Sequence, residues 1–182
     1  SAPTWHPDGK TIYYSKKAKF PNKYGSRYYD IYSYDIETEK EERLTRDARA
    51  FNPVFIKSDS SIGFIATYDG GQDIYILKLK TKEVEKVTDF TDRPMISHLT
   101  FSNSSNELYF DITTHHYRDI FRYNLISGLV EENLNNPLYD ERNISFSTNN
   151  IKIHSVDKSR IYNLYLKKNL DSSSGYITNV TG

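Results

Sequence analysis

Cysteine is absent from all 182 residues. Its absence removes disulfides, thiolate nucleophiles and zinc-thiolate sites together, and it leaves the redox compartment open. No apolar run approaches the roughly 18–20 residues that cross a bilayer as a helix, so no transmembrane segment is expected. The first residues lack the basic and apolar regions of a signal peptide; an export signal, if there is one, lies outside this chain. Charge of one sign is missing too, since 24 Lys and Arg oppose 24 Asp and Glu. No global field draws the chain to nucleic acid or an anionic membrane, and no nucleic-acid partner is expected. Gly-x-Ser-x-Gly, His-Glu-x-x-His, a phosphate loop, a dinucleotide fingerprint and the sialidase Asp-box are all lacking. No catalytic residue, cofactor or metal is therefore assigned from sequence.

What is abundant is tyrosine: 16 Tyr and 9 Phe stand against one Trp and one Met. Such rings suit half-buried strands, where one face packs and a hydroxyl stays wet. The chain also repeats itself. "PTWHPDGKTIYY" from Pro3 aligns with "PVFIKSDSSIGF" from Pro53, "HLTFSNSSNELYF" from His98 and "ISFSTNNIKIHS" from Ile144, with Trp5, Phe55, Phe101 and Phe146 in one place. A second marker, "DIYSYD", "DIYILK", "DIFRYN" and "NLYLKK", starts at Asp30, Asp73, Asp119 and Asn163, at intervals of 43, 46 and 44 residues. A third, Leu44-Thr45, Val87-Thr88, Leu134-Asn135 and Ile177-Thr178, closes each unit.

Within a unit the pattern is four short strands separated by turns. In the second, "NPVFI", "IGFIAT", "DIYILKL" and "VEKVT" alternate apolar and polar residues around "KSDSS", "YDGGQ" and "KTKE". Four antiparallel strands in about 45 residues make a propeller blade. The expected fold is all-β: one propeller segment over residues 1–182, with blades near 1–50, 51–93, 94–142 and 143–182, belonging to a larger propeller. Pro7, Asp8 and Gly9 are read as the turn between the first two strands: Pro presets φ, Asp bonds nearby amides and Gly takes a positive φ.

These residues carry a resemblance. "PTWHPDGKTIYYS" followed by "DIYSYDIETEKEERLT" resembles the TolB-like, WD-type (PD40-like) propeller repeat of bacterial cell-envelope proteins, strongly in the first unit and more loosely in the later ones, which lack the Pro-Asp-Gly corner. The resemblance implies a non-catalytic binding or scaffolding module of the periplasm or cell envelope. It would recognise protein or polysaccharide through its loops, beside the rest of a larger propeller or a fused domain. Peptidases of the prolyl-oligopeptidase-like and tricorn-like kinds resemble the repeat as well. The alternative is thus a substrate-gating propeller whose catalytic domain lies elsewhere.

The best site candidate is an insertion. Trp5 and Asp30 are 25 residues apart, whereas Phe55 to Asp73 and Phe101 to Asp119 each span 18. The extra residues fall in "SKKAKFPNKYGSRYYD", where Lys16, Lys17, Lys19, Lys23 and Arg27 interleave with Phe20, Tyr24 and Tyr28. A basic, aromatic hairpin projecting from one face suits an anionic partner, a glycan or a nucleic-acid strand, although the balanced overall charge speaks against the last. Asp30, Asp73, Asp119 and Asn163 are read not as a cation ring but as short acceptors that hold the preceding hairpin through its amides. His115 and His116, being adjacent, point to opposite sides of a strand and cannot readily share a metal. His6, His98 and His154 are read as satisfied polar groups.

Overall fold

The structure, a computed structural model, describes residues 2–58, 60–68, 70–114, 117–134, 138–147, 149, 151–158, 160–167 and 174–181. Every regular element among them is a strand. The first sheet holds β1 (Thr4–Trp5), β2 (Thr11–Lys17), β3 (Tyr29–Asp35) and β4 (Lys40–Arg43); the second, β5 (Phe51–Ile56), β6 (Ser61–Ala66), β7 (Asp73–Lys78) and β8 (Val84–Lys86). The third holds β9 (Met95–Ser102), β10 (Glu107–Thr114), β11 (Tyr117–Asn124) and β12 (Val130–Leu134); the fourth, β13 (Glu141–Phe146), β14 (Lys152–Val156), β15 (Asn163–Lys167) and β16 (Gly175–Tyr176). Each sheet is antiparallel, with its strands side by side in chain order. The fourth sheet starts at Glu141, and a bulge between Arg142 and Ser145 interrupts its first strand.

The chain divides into two compact units, Ser1–Pro94 and Met95–Gly182, each holding two sheets. In the first, Tyr13 and Ile31 pack against Ile62, Phe64, Ala66, Tyr75 and Leu77 in one dry core, with Ala48 and Ala50 of the connecting segment between them. Tyr13 stacks on Phe55 at 6.2 Å between ring centroids, and His6 meets Phe55 edge-on at 4.7 Å. In the second, Tyr109, Ile120 and Ile144 form the buried cluster, with Phe146 against it. Tyr109 lies 4.7 Å from Phe146, so the same two repeat positions meet in both units. Trp5, Phe55, Phe101 and Phe146 pair with Ile12, Ile62, Leu108 and Lys152 respectively, one shared register place.

Turn chemistry follows the residues. The Asp8 carboxylate accepts from the amides of Lys10 at 2.7 Å and Thr11 at 3.1 Å, and the Lys10 bond chiefly holds its carboxyl below the usual range. Gly9, at φ 71°, donates its amide to the His6 carbonyl, which closes the corner after Pro7. The sequence reading did not anticipate bulges in the first strands of the later sheets. Asn52, His98 and Asn143 sit there at φ 50°, 39° and 57°. Each stands three residues before the repeat aromatic, and Asn and His are among the residue types that tolerate this region best.

Candidate functional site: a latched sheet bearing a basic hairpin

The repeated acidic position sits at the start of the third strand, and its bonds reach forward. Asp30 Oδ1 accepts from Thr45 Oγ1 at 2.9 Å and from the Ala48 amide at 3.0 Å, while Arg43 reaches Oδ2 at 2.6 Å. Thr45 Oγ1 in turn accepts from the Ile31 amide. The arrangement recurs at Asp73, with Thr88 at 2.9 Å, the Phe90 amide at 3.0 Å and Lys86 at 3.1 Å. It recurs again at Asn163, with Thr178 at 3.0 Å and the Val180 amide at 2.8 Å. These residues therefore clamp the segment that follows the fourth strand; Asn163 also reaches back to the preceding hairpin, donating Nδ2 to the Ile161 carbonyl at 3.4 Å. The second and third sequence markers are two halves of one latch. In the first two blades a cation stands two residues before the threonine, Arg43 beside Asp30 and Lys86 beside Asp73; Tyr176 stands there in the fourth, where the latch residue is asparagine. A buried carboxylate needs a counter-charge and a neutral amide does not. Asp119 is buried at the matching place in β11, but Asn135 lies outside the described residues.

The latch also builds the hairpin's base. Bending the chain at Asp47 and Arg49, with φ of 57° and 49°, carries residues 46–50 back past the first sheet. There the Ala50 amide bonds the Tyr29 carbonyl at 2.8 Å, and Ser15 Oγ donates to the Ala50 carbonyl at 2.6 Å. The insertion between β2 and β3 is closed at its neck by Ala18 N to Tyr28 O at 2.8 Å. Its tip is an Asn22-centred turn: the Asn22 side chain accepts from the amides of Tyr24 and Ser26, and Gly25 supplies φ 77°.

The predicted residues divide into three groups. Lys16 lies within β2, bonded to Glu41 at 2.7 Å, and Glu41 also accepts from the Tyr14 hydroxyl. The Lys16 charge is thus answered within the first sheet. Lys19 lies over Phe20 at 5.4 Å and Lys23 over Tyr24 at 4.9 Å, a tip whose rings are 71% and 78% exposed. Lys17, Arg27 and Tyr28 stand at the base, beside a cleft of about 450 Å³ that Arg49, Tyr29 and Phe51 complete. Arg49 lies over the Tyr28 ring at 4.4 Å and donates to its hydroxyl at 3.0 Å. The Tyr28 phenol is held below its usual pKa, first by Ser26 and then by Arg49. Among the described residues no carboxylate pairs with Lys17, Arg27 or Arg49. The three cations share one cleft with three aromatic rings.

Tyr29, Arg49 and Phe51 are the members that sequence reasoning missed. Arg49 lies in the segment joining the first two sheets and Phe51 opens β5, both more than twenty residues past the hairpin, and only the return of that stretch of chain brings them in. His115 and His116 fall outside the described residues. Of the other histidines, His98 Nε2 bonds the Ile144 carbonyl at 2.9 Å and His6 Nδ1 accepts from the Asp8 amide at 3.2 Å. His154 differs from expectation, since its Nδ1 is buried with no hydrogen-bond partner among the described residues.

No family model matches the chain, and no curated protein sequence does. Solved structures do. TolB from Acinetobacter baumannii superposes with TM-score 0.76 at 20% identity, over 98% of this chain and 43% of that one. A putative TolB from Agrobacterium tumefaciens gives 0.74 at 14% identity, over 94% and 62%. Acylaminoacyl peptidase from Pyrococcus horikoshii gives 0.68 at 19% identity, over 98% and 27%. The fold is a β-propeller fold. The four sheets are blades of that propeller, and the chain spans about half the length of the TolB structures it resembles. Among the described residues no helix is long and apolar enough to cross a membrane.

Proposed function

We propose that this chain is a non-catalytic binding segment of a TolB-like propeller of the bacterial cell envelope, and that its partner surface is the hairpin cleft of the first blade. The observation that carries the reading is the cleft itself: Lys17, Arg27 and Arg49, without carboxylate partners among the described residues, beside Tyr28, Tyr29 and Phe51. Blades supply a rigid frame and inserted loops supply the contacts. The ligand that suits three cations and aromatic faces is an anionic protein segment or an acidic polysaccharide.

The test is retention on immobilised polyglutamate and on immobilised polygalacturonate over a salt gradient, comparing the chain with a Lys17→Ser, Arg27→Ser, Arg49→Ser variant. Retention of the native chain on either matrix, lost in the variant, supports the reading, and the matrix identifies the partner class. Equal retention of both proteins would sink it. A second reading rests on the likeness to the acylaminoacyl peptidase: the segment gates access to a catalytic domain encoded alongside it. A hydrolase segment in the same reading frame would favour that reading.

A further inference from the structure

A second cavity, of about 320 Å³, lies on the fourth sheet, far in sequence from the hairpin. Glu141 and His154 line it together with Tyr165, Tyr176, Lys158 and Lys167. His154 is 2% exposed and Glu141 8%, so both polar heads are withdrawn from water. His154 Nε2 lies 3.6 Å from Glu141 Oε1, beyond a good hydrogen bond, and neither His154 Nδ1 nor Glu141 Oε2 has a partner among the described residues. Buried polar atoms are nearly always answered, and two on neighbouring side chains beside one cavity call for a ligand that answers them.

The repeat shows that this polarity is not demanded by the fold. His154 pairs with Tyr165 as Phe64 pairs with Tyr75, and Phe64 is wholly buried in the dry core of the first unit. The fourth blade carries an imidazole and a carboxylate on a face that the second blade makes of hydrocarbon. Tyr176 belongs to the same change, since it stands where the first and second blades carry the latch cation and pairs with Tyr165 across the strands at 5.3 Å between ring centroids.

The lining selects by charge. A desolvated carboxylate disfavours an anion, and two lysines disfavour a cation. A neutral molecule with adjacent hydroxyl donors and a flat apolar face fits the lining: one hydroxyl donates to Glu141 Oε2, another bonds His154 Nδ1, and tyrosine rings pack against the C–H face. We propose that this cavity is a binding subsite for a neutral sugar ring. It is independent of the hairpin, so either site can fail without the other.

Saturation-transfer NMR on the intact chain tests it, with maltotriose, cellotriose and chitotriose as probes and trigalacturonate and choline as charged controls. The expected result is saturable transfer to at least one neutral trisaccharide, weakened about tenfold by Glu141→Gln, which keeps the shape but loses the charged acceptor. His154→Phe, which copies the second blade, abolishes the signal while circular dichroism shows the fold retained. Absence of transfer to all three neutral probes, equal binding by both variants, or equal competition from either charged control would overturn the proposal.

Discussion

The two units solve the same packing problem in opposite ways. In the first, Tyr13, Ile31, Ile62, Phe64 and Leu77 meet with no polar atom among them except the tyrosine hydroxyl. In the second, the equivalent contact is threaded with charge. The Tyr109 hydroxyl donates to Glu107 at 2.7 Å, Lys152 bonds that hydroxyl at 3.2 Å and lies over the ring at 5.1 Å, and Arg122 reaches Glu107 at 3.2 Å. Burial and the Glu107 hydrogen bond push the Tyr109 phenol up to about 12, and burial lowers Lys152. One backbone template therefore accepts either a hydrocarbon or a polar filling, provided the polar groups find partners. The hydrocarbon version favours stability; the polar version leaves groups able to bind or titrate.

Moving the fourth blade's chemistry into the second is the strongest challenge to that comparison. Phe64→His places an imidazole in a core that offers it no partner, and a loss of about 3 kcal/mol is expected in urea unfolding followed by circular dichroism. A loss under about 0.5 kcal/mol would mean that the two cores are not as different as their residues suggest. Breaking a latch should cost nearly as much. Asp30→Ala strands the Thr45 hydroxyl, the Ala48 amide and the Arg43 guanidinium, for about 2–3 kcal/mol, and Asp30→Asn should recover part of it because Asn163 already serves in that role.

The second unit's carboxylate gives a pH-dependent contrast. Asp111, fully buried in β10, accepts from the Asn143 amide at 3.0 Å, and burial pushes its carboxyl up to about 6 despite His98, Arg118 and Arg142 nearby. Its folded pKa lies above its unfolded one, so the native state binds the proton more tightly. Stability from this group is therefore greatest below about pH 4 and declines as pH rises towards 6, by about 1–3 kcal/mol. Asp111→Asn should flatten that decline, which thermal melts between pH 4 and 8 would show. The smallest expected effect is at the hairpin base. Arg49→Gly relieves a left-handed backbone by about 0.5–1 kcal/mol while removing the Tyr28 contact, so stability should hold or rise slightly as retention on the anionic matrices falls.

The period of the markers and the alternation inside "DIYILK" or "IGFIAT" determine a four-stranded blade from sequence, because a strand's period and a tight turn's residues are local properties. The hairpin was legible for the same reason: seven residues too many between two markers must leave the sheet. That Lys16 pairs with Glu41 was not legible, because a charge pattern does not reveal a partner and Glu41 lies two strands away in the same sheet. The latch was seen as two separate markers, since nothing local says that an acid and a threonine fifteen residues on touch. Arg49, the Asn52, His98 and Asn143 bulges, and the unanswered pair Glu141 and His154 were decided only by tertiary structure. Each depends on which segment returns against which, and that choice comes from packing over the whole unit, not from any short stretch of residues.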